Sequence, residues 1–263
     1  MPIENKPTEL EIHSFLNTYK SQQEKKIYKQ NTESKISFTD DQQQILNLLD
    51  TQITSIQNGT MTANSIKRVI IQGKAGSGKS TIIKEMVKRI TSIFGEDSVK
   101  VAASTGMASV NIDGLTLHYL LRLPVNYKLF SKLENQNAKK FQTDLKDLKF
   151  LIIDEMSLIG LRTLFQIESR CREIHANEID EPFGGIIIYL LGDYNQLTPV
   201  GDTAVFSDKK LTDNLQTQGR IIFKQFQKYY CLQNAHRQKG NHTPYSQLLD
   251  EIANAELSQQ NYN

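Results

Sequence analysis

The chain has 263 residues, of which 38% are hydrophobic and 23% are charged, an ordinary balance for a globular protein with one large domain, or with one domain and the start of a second. Its formal net charge of +2 gives no indication that the field of the whole chain attracts nucleic acid, so a polyanion would have to be held by a local groove. The longest apolar runs are strand-sized and exclude a membrane span, the amino terminus lacks a targeting pattern, and the two cysteines lack metal-ligand spacing, which favours reduced intracellular thiols.

The amino-terminal segment, residues 1–35, is rich in Lys, Gln, Glu, Asn and Ser. We expect a polar extension outside the main core, with only a short helix near residues 12–19. The core is predicted to begin near Phe38, because Thr39 can cap a helix that carries apolar residues between positions 45 and 49.

Strand-like and helix-like segments then alternate along the chain. The predicted strands are residues 69–72, Val99–Ala103, Phe150–Asp154 and 185–191, and the predicted helices are residues 79–93 and 158–174. This alternation is typical of an α/β fold with a mostly parallel sheet between helices. The Lys-rich stretch at residues 127–148 is predicted to be a surface insertion, with a solvated face favoured over a DNA contact.

A glycine-rich loop follows the first of these strands. Residues 73–80 read G-K-A-G-S-G-K-S and fit the phosphate-binding pattern G-x-x-x-x-G-K-[ST], and their position between a predicted strand and a predicted helix argues against a chance match. The glycines let backbone N–H groups converge on phosphate oxygens, and the following helix points its positive end at the same anion. Lys79 is predicted to neutralise the β- and γ-phosphates and the Ser80 hydroxyl to bind Mg²⁺. The predicted nucleotide-binding set in this segment is Gly73, Lys74, Ala75, Gly76, Ser77, Gly78, Lys79, Ser80 and Thr81.

Two carboxylates, Asp154 and Glu155, follow an apolar strand. At the end of a parallel strand, Asp154 can bind Mg²⁺ directly or through water, and Glu155 can orient and deprotonate the attacking water. A solvated strand end is the alternative, since Asp and Glu are common there. The phosphate loop upstream favours the catalytic interpretation.

A second polar cluster follows the apolar strand 185–191. Residues 192–197 read G-D-Y-N-Q-L, and ligands of parallel sheets bind beyond the carboxyl ends of the strands. Gln196 could therefore contact the γ-phosphate or the attacking water. A turn built from Gly, Asp and Asn needs no function, so this cluster alone is a weak signal.

Together, these segments resemble the superfamily 1 helicases, and specifically the Pif-type (petite integration frequency) 5′-to-3′ DNA helicases. Residues 38–42, F-T-D-D-Q, are similar to the adenine-reading segment of that family, which implies that Gln42 contacts the base. Residues 103–118 are similar to the segment that contacts single-stranded DNA. The resemblance therefore implies DNA-binding roles for Thr105, Gly106 and His118, while Tyr119 could stack on bases or pack in the core.

The resemblance continues past the last predicted strand. Residues 232–238, L-Q-N-A-H-R-Q, look like the segment that opens the family's second motor domain, with Arg237 in the position of an arginine finger. The sequence departs from the family pattern at Thr198, where proline is usual, and at Ala253 and Glu256, where Arg and Gly are expected. The catalytic set that the motifs imply is Lys79, Glu155, Gln196 and Arg237.

The resemblance implies a RecA-like P-loop NTPase that binds ATP and Mg²⁺ and couples ATP hydrolysis to 5′-to-3′ translocation on DNA. The implied partners are single-stranded DNA or DNA junctions, with no membrane partner and with protein partners unknown. The implied roles are DNA repair, recombination and telomere maintenance, in the nucleus of a eukaryotic cell or in the mitochondrion.

We predict three parts of the chain. They are a polar extension at residues 1–35, a first RecA-like ATPase domain at residues 36–229, and the start of a truncated second RecA-like domain at residues 230–263. Because ATP sits between two such domains in the family, we expect the chain to be the first motor half of a helicase, incomplete for unwinding. Two alternatives stay open: an ATP-dependent DNA-binding or loading module, and an inactive remnant of a mobile element of the Helitron type.

Overall fold

A computed structural model of the protein describes residues 37–124, 130–175, 180–211 and 213–233. Within these ranges the strands are β1 (Arg68–Gly73), β2 (Val99–Ala103), β3 (Leu115–Thr116), β4 (Phe150–Asp154), β5 (Ile187–Gly192) and β6 (Lys228–Leu232). The helices are α1 (Asp40–Gln57), α2 (Lys79–Phe94), α3 (Gly106–Asn111), α4 (Leu117–Leu120), α5 (Asn135–Leu145), α6 (Leu161–Ile174) and α7 (Asn214–Phe223). Short 3₁₀ turns lie at Glu96–Ser98, Met156–Leu158 and Pro182–Gly185. The predicted extension at residues 1–35 and the predicted arginine finger, Arg237, lie outside the described residues.

The strands form one sheet in the order β3-β2-β4-β5-β1-β6, and each neighbouring pair is parallel. Parallel neighbours need crossover connections, which place helices on the faces of the sheet and bury its strands on both sides. Every residue of the central strands β4 and β5 is buried accordingly. The α/β fold with a mostly parallel sheet, which the alternation predicts, is therefore confirmed.

A buried pair of polar side chains ties α1 to the sheet. Tyr189 of β5 is fully buried, and its hydroxyl donates a hydrogen bond to Oε1 of Gln52 at 2.6 Å. Gln52 Nε2 in turn donates to the carbonyl of Ile66 at 2.8 Å. Because both side chains have partners, their burial avoids the penalty of an unsatisfied polar group.

Small differences from the predicted boundaries have local causes. β2 and β4 begin and end at the predicted residues. β5 begins at Ile187 and not at residue 185, because the 3₁₀ turn Pro182–Gly185 extends to that point. α6 begins at Leu161 and not at residue 158, because Glu155 has a left-handed backbone (φ 56°) and a 3₁₀ turn follows it.

The Lys-rich stretch at residues 127–148 departs further from its prediction. The structure describes this stretch from residue 130, and α5 lies inside it. Phe141, Leu145 and Leu148 are only 1%, 5% and 0% exposed, and all three belong to the hydrophobic core. The prediction of a surface insertion was therefore wrong for this helix, because two apolar residues at i, i+4 spacing suffice to dock a helix that is otherwise polar.

The last described strand bears on the predicted domain division. β6 pairs with β1 from Val69↔Lys228 to Gly73↔Leu232, so the predicted boundary between residues 229 and 230 falls inside a strand of the first sheet. Residues 234–263 lie outside the described ranges. The division into three parts stays a prediction.

No helix in the described ranges has the length and apolar character needed to cross a membrane. Cys171 is buried, Cys231 is exposed, and both are free thiols, as the sequence predicts.

Gly219 allows α7 to approach α6 closely, since a Cβ at this position would collide with the backbone of Leu161. We expect Gly219→Ala to lower the free energy of unfolding by about 1–3 kcal/mol through overpacking, even though alanine is favoured over glycine inside a helix by about 1 kcal/mol. Urea denaturation measures the change. Gln218→Ala, at an exposed position of the same helix, is the matched control and should leave stability nearly unchanged. A Gly219→Ala variant as stable as the wild type would contradict this packing.

Candidate active site

Apart from Gln42, the predicted site residues in the described ranges follow the carboxyl ends of strands. Because all the strands are parallel, these ends meet at one edge of the sheet. Along this edge lie His118 after β3, Thr105 and Gly106 after β2, Asp154 and Glu155 at the end of β4, Gln196 after β5, and the loop of residues 73–80 after β1. The strand order therefore arranges the predicted DNA-binding residues on one side of the carboxylates and the phosphate loop on the other.

The phosphate loop joins β1 to α2. Gly78 has a left-handed backbone (φ 90°) and immediately precedes Lys79, the first residue of α2, so the loop turns directly into the helix. Lys79 Nζ donates hydrogen bonds to the carbonyls of Gly73 at 2.5 Å and Lys74 at 3.1 Å. The ammonium group therefore lies over the loop, beside the positive end of the helix, where an anion is favoured.

Gln42 lies behind the loop. Its side chain is part of a residue only 3% exposed, Nε2 donates to the Ser77 carbonyl at 3.4 Å, and Oε1 accepts from Thr39 N–H at 3.2 Å. The amide thus connects the start of α1 to the phosphate loop. Its contact with an adenine base stays a prediction.

Asp154 and Glu155 end β4 close to Lys79. Asp154 is 7% exposed, and its Oδ1 accepts a hydrogen bond from Glu155 N–H at 2.9 Å. Burial raises the pKa of Asp154 above its ordinary value, while this hydrogen bond and the charge of Lys79 oppose the rise. Burial also raises the pKa of Glu155; the charge of Asp154 and, to a smaller extent, that of Asp193 add to the rise. Lys79 opposes it here too.

The turn after β5 is held by a residue of β1. Gln72 Nε2 donates to Asp193 Oδ1 at 2.8 Å, and Gln72 Oε1 accepts from Tyr194 N–H at 3.2 Å. Asp193 is 5% exposed; its Oδ1 also accepts from Asn195 N–H at 3.0 Å, and its carbonyl accepts from Gln196 N–H at 3.1 Å. Gln196 is therefore an exposed side chain on a firmly bonded turn. Sequence reasoning missed Gln72, because no pattern in the sequence pairs it with Asp193.

The segment that connects β5 to α7 is also held farther along, at Asp202, by the start of α6. Asp202 Oδ2 accepts from the backbone N–H groups of Arg162 at 2.9 Å and Thr163 at 3.2 Å, which satisfies two free donors at the helix start. Between the two attachments, Leu197 is 79% exposed and Val200 is 95% exposed. The connection thus has fixed ends and an apolar, exposed middle.

A cleft of about 630 Å³ lies in front of the phosphate loop. Its lining residues are Ala75, Gly76, Gly78, Lys79, Ser80, Thr81, Lys84, Ala108, Asn111, Asp154, Glu155 and Gln196. The structure thus brings most of the predicted phosphate residues together with the predicted metal and sensor residues, whereas Gly73, Lys74 and Ser77 of the loop do not line the cleft. Sequence reasoning missed Lys84, Ala108 and Asn111; for Lys84 the available signal was its place one helical turn after Ser80.

A second groove of about 640 Å³ adjoins the cleft. It is lined by Thr105, Glu155, Ser157, Leu158, Asn195, Gln196 and Leu197. Thr105 also caps α3, where its Oγ1 accepts from Ala108 N–H at 3.3 Å. Glu155 and Gln196 line both cavities, so these two side chains lie between the phosphate loop and the predicted DNA-binding segment.

His118 and Tyr119 lie farther along the same edge, in α4. The His118 side chain is exposed and is not among those that line either cavity. Tyr119 is 75% exposed, so it is not a core residue. Met107 of α3 is 78% exposed, which adds another apolar side chain to this surface.

The profile of the family described as PIF1-like helicase matches residues 37–262 of the chain. The chain belongs to the PIF1-like helicase family. It is similar to the ATP-dependent DNA helicase RRM3 of Saccharomyces cerevisiae, with 34% identity over 197 residues, which are 72% of the chain and 25% of that protein. It is also similar to the ATP-dependent DNA helicase Pif1 of a Psychrobacter species, with 31% identity over 192 residues, which are 72% of the chain and 28% of the relative.

Solved structures of the same family share the fold. Unliganded Pif1 from a Bacteroides species matches with a TM-score of 0.59 and 29% identity, over 86% of the chain and 47% of that structure. Bacteroides Pif1 bound to single-stranded DNA matches with a TM-score of 0.58 and 27% identity, over 86% and 48%. This PIF1-like chain therefore spans about a quarter of the curated relatives and about half of the solved chains.

The cleft of this PIF1-like chain has the chemistry of a Mg²⁺ site. Ser80 and Asp154 line the same cavity, and a hydroxyl and a carboxylate are the hard oxygen ligands that Mg²⁺ prefers. The described residues contain no group of three or more His, Cys, Asp or Glu side chains that could hold a metal ion. Such a group is not needed, because Mg²⁺ usually binds through one or two carboxylates together with substrate phosphates and water. The residues present fit the ion.

Burial of Asp154 predicts a stability penalty at neutral pH. Because its folded-state pKa is raised, the penalty is absent below the ordinary Asp pKa, grows as pH rises from that value to the raised pKa, and is complete above it. We therefore expect Asp154→Asn to raise the melting temperature of the ligand-free protein at pH 7, with a gain that disappears in acid. Calorimetry across a pH series measures this.

Asp97→Asn is the control for that series. Asp97 is fully exposed, and a hydrogen bond and the charge of Lys100 lower its pKa, so its replacement should not stabilise the protein at pH 7. A melting temperature of Asp154→Asn below that of the wild type at pH 7 would contradict the assigned effect of burial.

Proposed function

We propose that the chain is the ATP-hydrolysing motor segment of a DNA helicase, in which ATP hydrolysis drives translocation on single-stranded DNA. The observation that carries the proposal is the shared boundary of the two cavities, where Glu155 and Gln196 border both the phosphate cleft and the groove beside Thr105. Support also comes from the relatives, which are named ATP-dependent DNA helicases, and from the match to Bacteroides Pif1 bound to single-stranded DNA.

The phosphate loop binds the triphosphate of ATP in this proposal. Lys79 donates hydrogen bonds to the β- and γ-phosphates, and the first turn of α2, with Ser80 and Thr81, directs backbone N–H groups at the same oxygens. Ser80 and Asp154 hold Mg²⁺, which when bound neutralises negative charge on the phosphates. Gln42 reads the adenine base by family resemblance.

Glu155 is the proposed general base. Its raised pKa makes the carboxylate a better proton acceptor for the attacking water, because a base is most effective when its pKa approaches the working pH. Gln196 contacts the γ-phosphate or the water from the neighbouring strand end. Arg237 supplies an arginine finger. This role comes from family resemblance alone, because Arg237 lies outside the described residues.

DNA lies against the exposed surface of α3 and α4 in this proposal. Thr105 and Gly106 contact the backbone of the strand, His118 adds a polar contact, and the exposed Tyr119 offers a ring on which a base can stack. The 5′-to-3′ polarity, the action on DNA junctions, the roles in repair, recombination and telomere maintenance, and a nuclear or mitochondrial location are proposed from family resemblance.

The catalytic assignment predicts two different defects. Lys79→Ala should abolish ATP turnover, because it removes the counter-charge of the phosphates. Glu155→Gln should lower kcat by about 10²-fold or more while ATP still binds, because the amide accepts no proton from water. Steady-state ATPase assays and equilibrium binding of a fluorescent ATP analogue separate the two defects. Normal turnover by Glu155→Gln would show that another group is the base.

The DNA assignment predicts that single-stranded DNA stimulates ATP hydrolysis by the chain. His118→Ala should raise the DNA concentration needed for half-maximal stimulation severalfold. Gln218→Ala should not, because helix α7 lines neither the cleft nor the groove. A titration of an oligonucleotide into the ATPase assay measures both. Hydrolysis that DNA leaves unchanged would exclude a DNA-driven motor. Strand-displacement assays on a longer chain that also carries a second motor domain separate a helicase from a loading module.

A further inference from the structure

Gln72 connects the two nucleotide-facing segments of the site. It is the residue before Gly73, whose carbonyl accepts from Lys79 Nζ at 2.5 Å. In the sheet it lies between Gly192 of β5 and Cys231 of β6. Its side chain therefore reaches from the base of the phosphate loop to the turn that follows β5.

The amide of Gln72 uses both of its ends on that turn. Nε2 donates to Asp193 Oδ1 at 2.8 Å, and Oε1 accepts from Tyr194 N–H at 3.2 Å. A carboxylate needs a donor and a backbone N–H needs an acceptor, and a single primary amide supplies both. Asp193 is 5% exposed, so loss of the donor would leave a buried carboxylate with fewer partners, which is costly.

The bonded chain continues to Gln196. Asp193 accepts from Asn195 N–H through its side chain at 3.0 Å and from Gln196 N–H through its carbonyl at 3.1 Å. Each residue from 194 to 196 thus has its backbone N–H bonded either to Gln72 or to the aspartate that Gln72 holds. The exposed Gln196 side chain projects from this turn into the cleft.

We propose that Gln72 is a positioning residue for ATP hydrolysis, which sets the place of Gln196 relative to the phosphate loop. This inference rests on the proposed function. Gln72 acts through Gln196, because its own side chain does not line the cleft. Its loss therefore lowers the rate of hydrolysis more than the affinity for ATP, because a displaced polar group loses its contact in the transition state while the phosphate loop still binds the triphosphate.

The test compares Gln72→Leu with wild type in the 263-residue chain. We expect kcat to fall about tenfold or more, with little change in the equilibrium affinity for ATP. In a Gln196→Ala background the same substitution should have no further effect on kcat, because the group that it positions is gone. Gln72→Glu provides a second variant, which keeps the size and the acceptor but sets a carboxylate against Asp193, and it should reproduce the fall in kcat.

Gln52→Leu is the matched control. Gln52 is a buried glutamine that, like the half-buried Gln72, makes two side-chain hydrogen bonds. One of them is with Tyr189 of β5, and neither partner lines the cleft. It should lower stability without separating kcat from ATP affinity. A kcat as low in Gln52→Leu as in Gln72→Leu would reduce Gln72 to a structural role.

Amide hydrogen exchange tests the positioning without any turnover. In nucleotide-free Gln72→Leu, the N–H groups of Tyr194 and Gln196 should exchange severalfold faster, and in Gln52→Leu they should not. Unchanged exchange, or an equal fall in kcat with and without Gln196, would overturn the proposal. Absence of ATP turnover in the wild type would instead contradict the proposed function, and the exchange result then decides the role of Gln72 by itself.

Discussion

The parallel direction of the six strands in the described part of the chain is the constraint on which the site depends. It brings six carboxyl ends to one edge, so residues that are far apart in the chain become neighbours in a row. The strand order then decides which neighbours meet. Because β4 lies between β2 and β5, Glu155 stands between Thr105 and Gln196, and one carboxylate borders both the phosphate cleft and the adjoining groove. A different order of the same strands would move the phosphate cleft away from the groove beside Thr105.

The two carboxyl groups of the site are unfavourably placed when they are ionised. Asp154 and Glu155 are adjacent carboxyl groups whose pKa values are raised mainly by burial, so the folded chain is destabilised where they ionise. The surrounding structure offsets this through the buried hydrophobic strand that carries them and through the attachments of the neighbouring turn. Gln72 and Asp202 fix the two ends of the connection after β5, and this leaves Leu197 exposed between them. Carboxylates that are held in place by such a frame are preorganised for a metal ion that accompanies a phosphate ligand.

The sequence predicts those parts of this structure that depend on short-range patterns. The phosphate loop, β2 and β4 follow from glycine spacing and apolar runs, and the edge of the sheet at which ligands bind follows from parallel direction alone. The pairing of Gln72 with Asp193 could not be predicted, because the two residues are 121 positions apart and a glutamine in a strand carries no pattern. β3 was missed because a strand of two residues has no periodicity. The helix with Phe141 was missed because polar residues outnumber its apolar positions.

Lys79 adds a consequence for the exchange of ligands. Its ammonium group donates to two carbonyls of the loop itself, those of Gly73 and Lys74, so a phosphate group replaces existing partners and does not find a bare cation. The affinity that this lysine contributes is then a difference between two sets of charge-assisted hydrogen bonds. The same exchange works in reverse, because the carbonyls can receive the ammonium as a phosphate departs. A loop that accommodates its own lysine in this way stabilises the nucleotide-free site, so the net affinity gained from the lysine is smaller than that of an ammonium group without these partners.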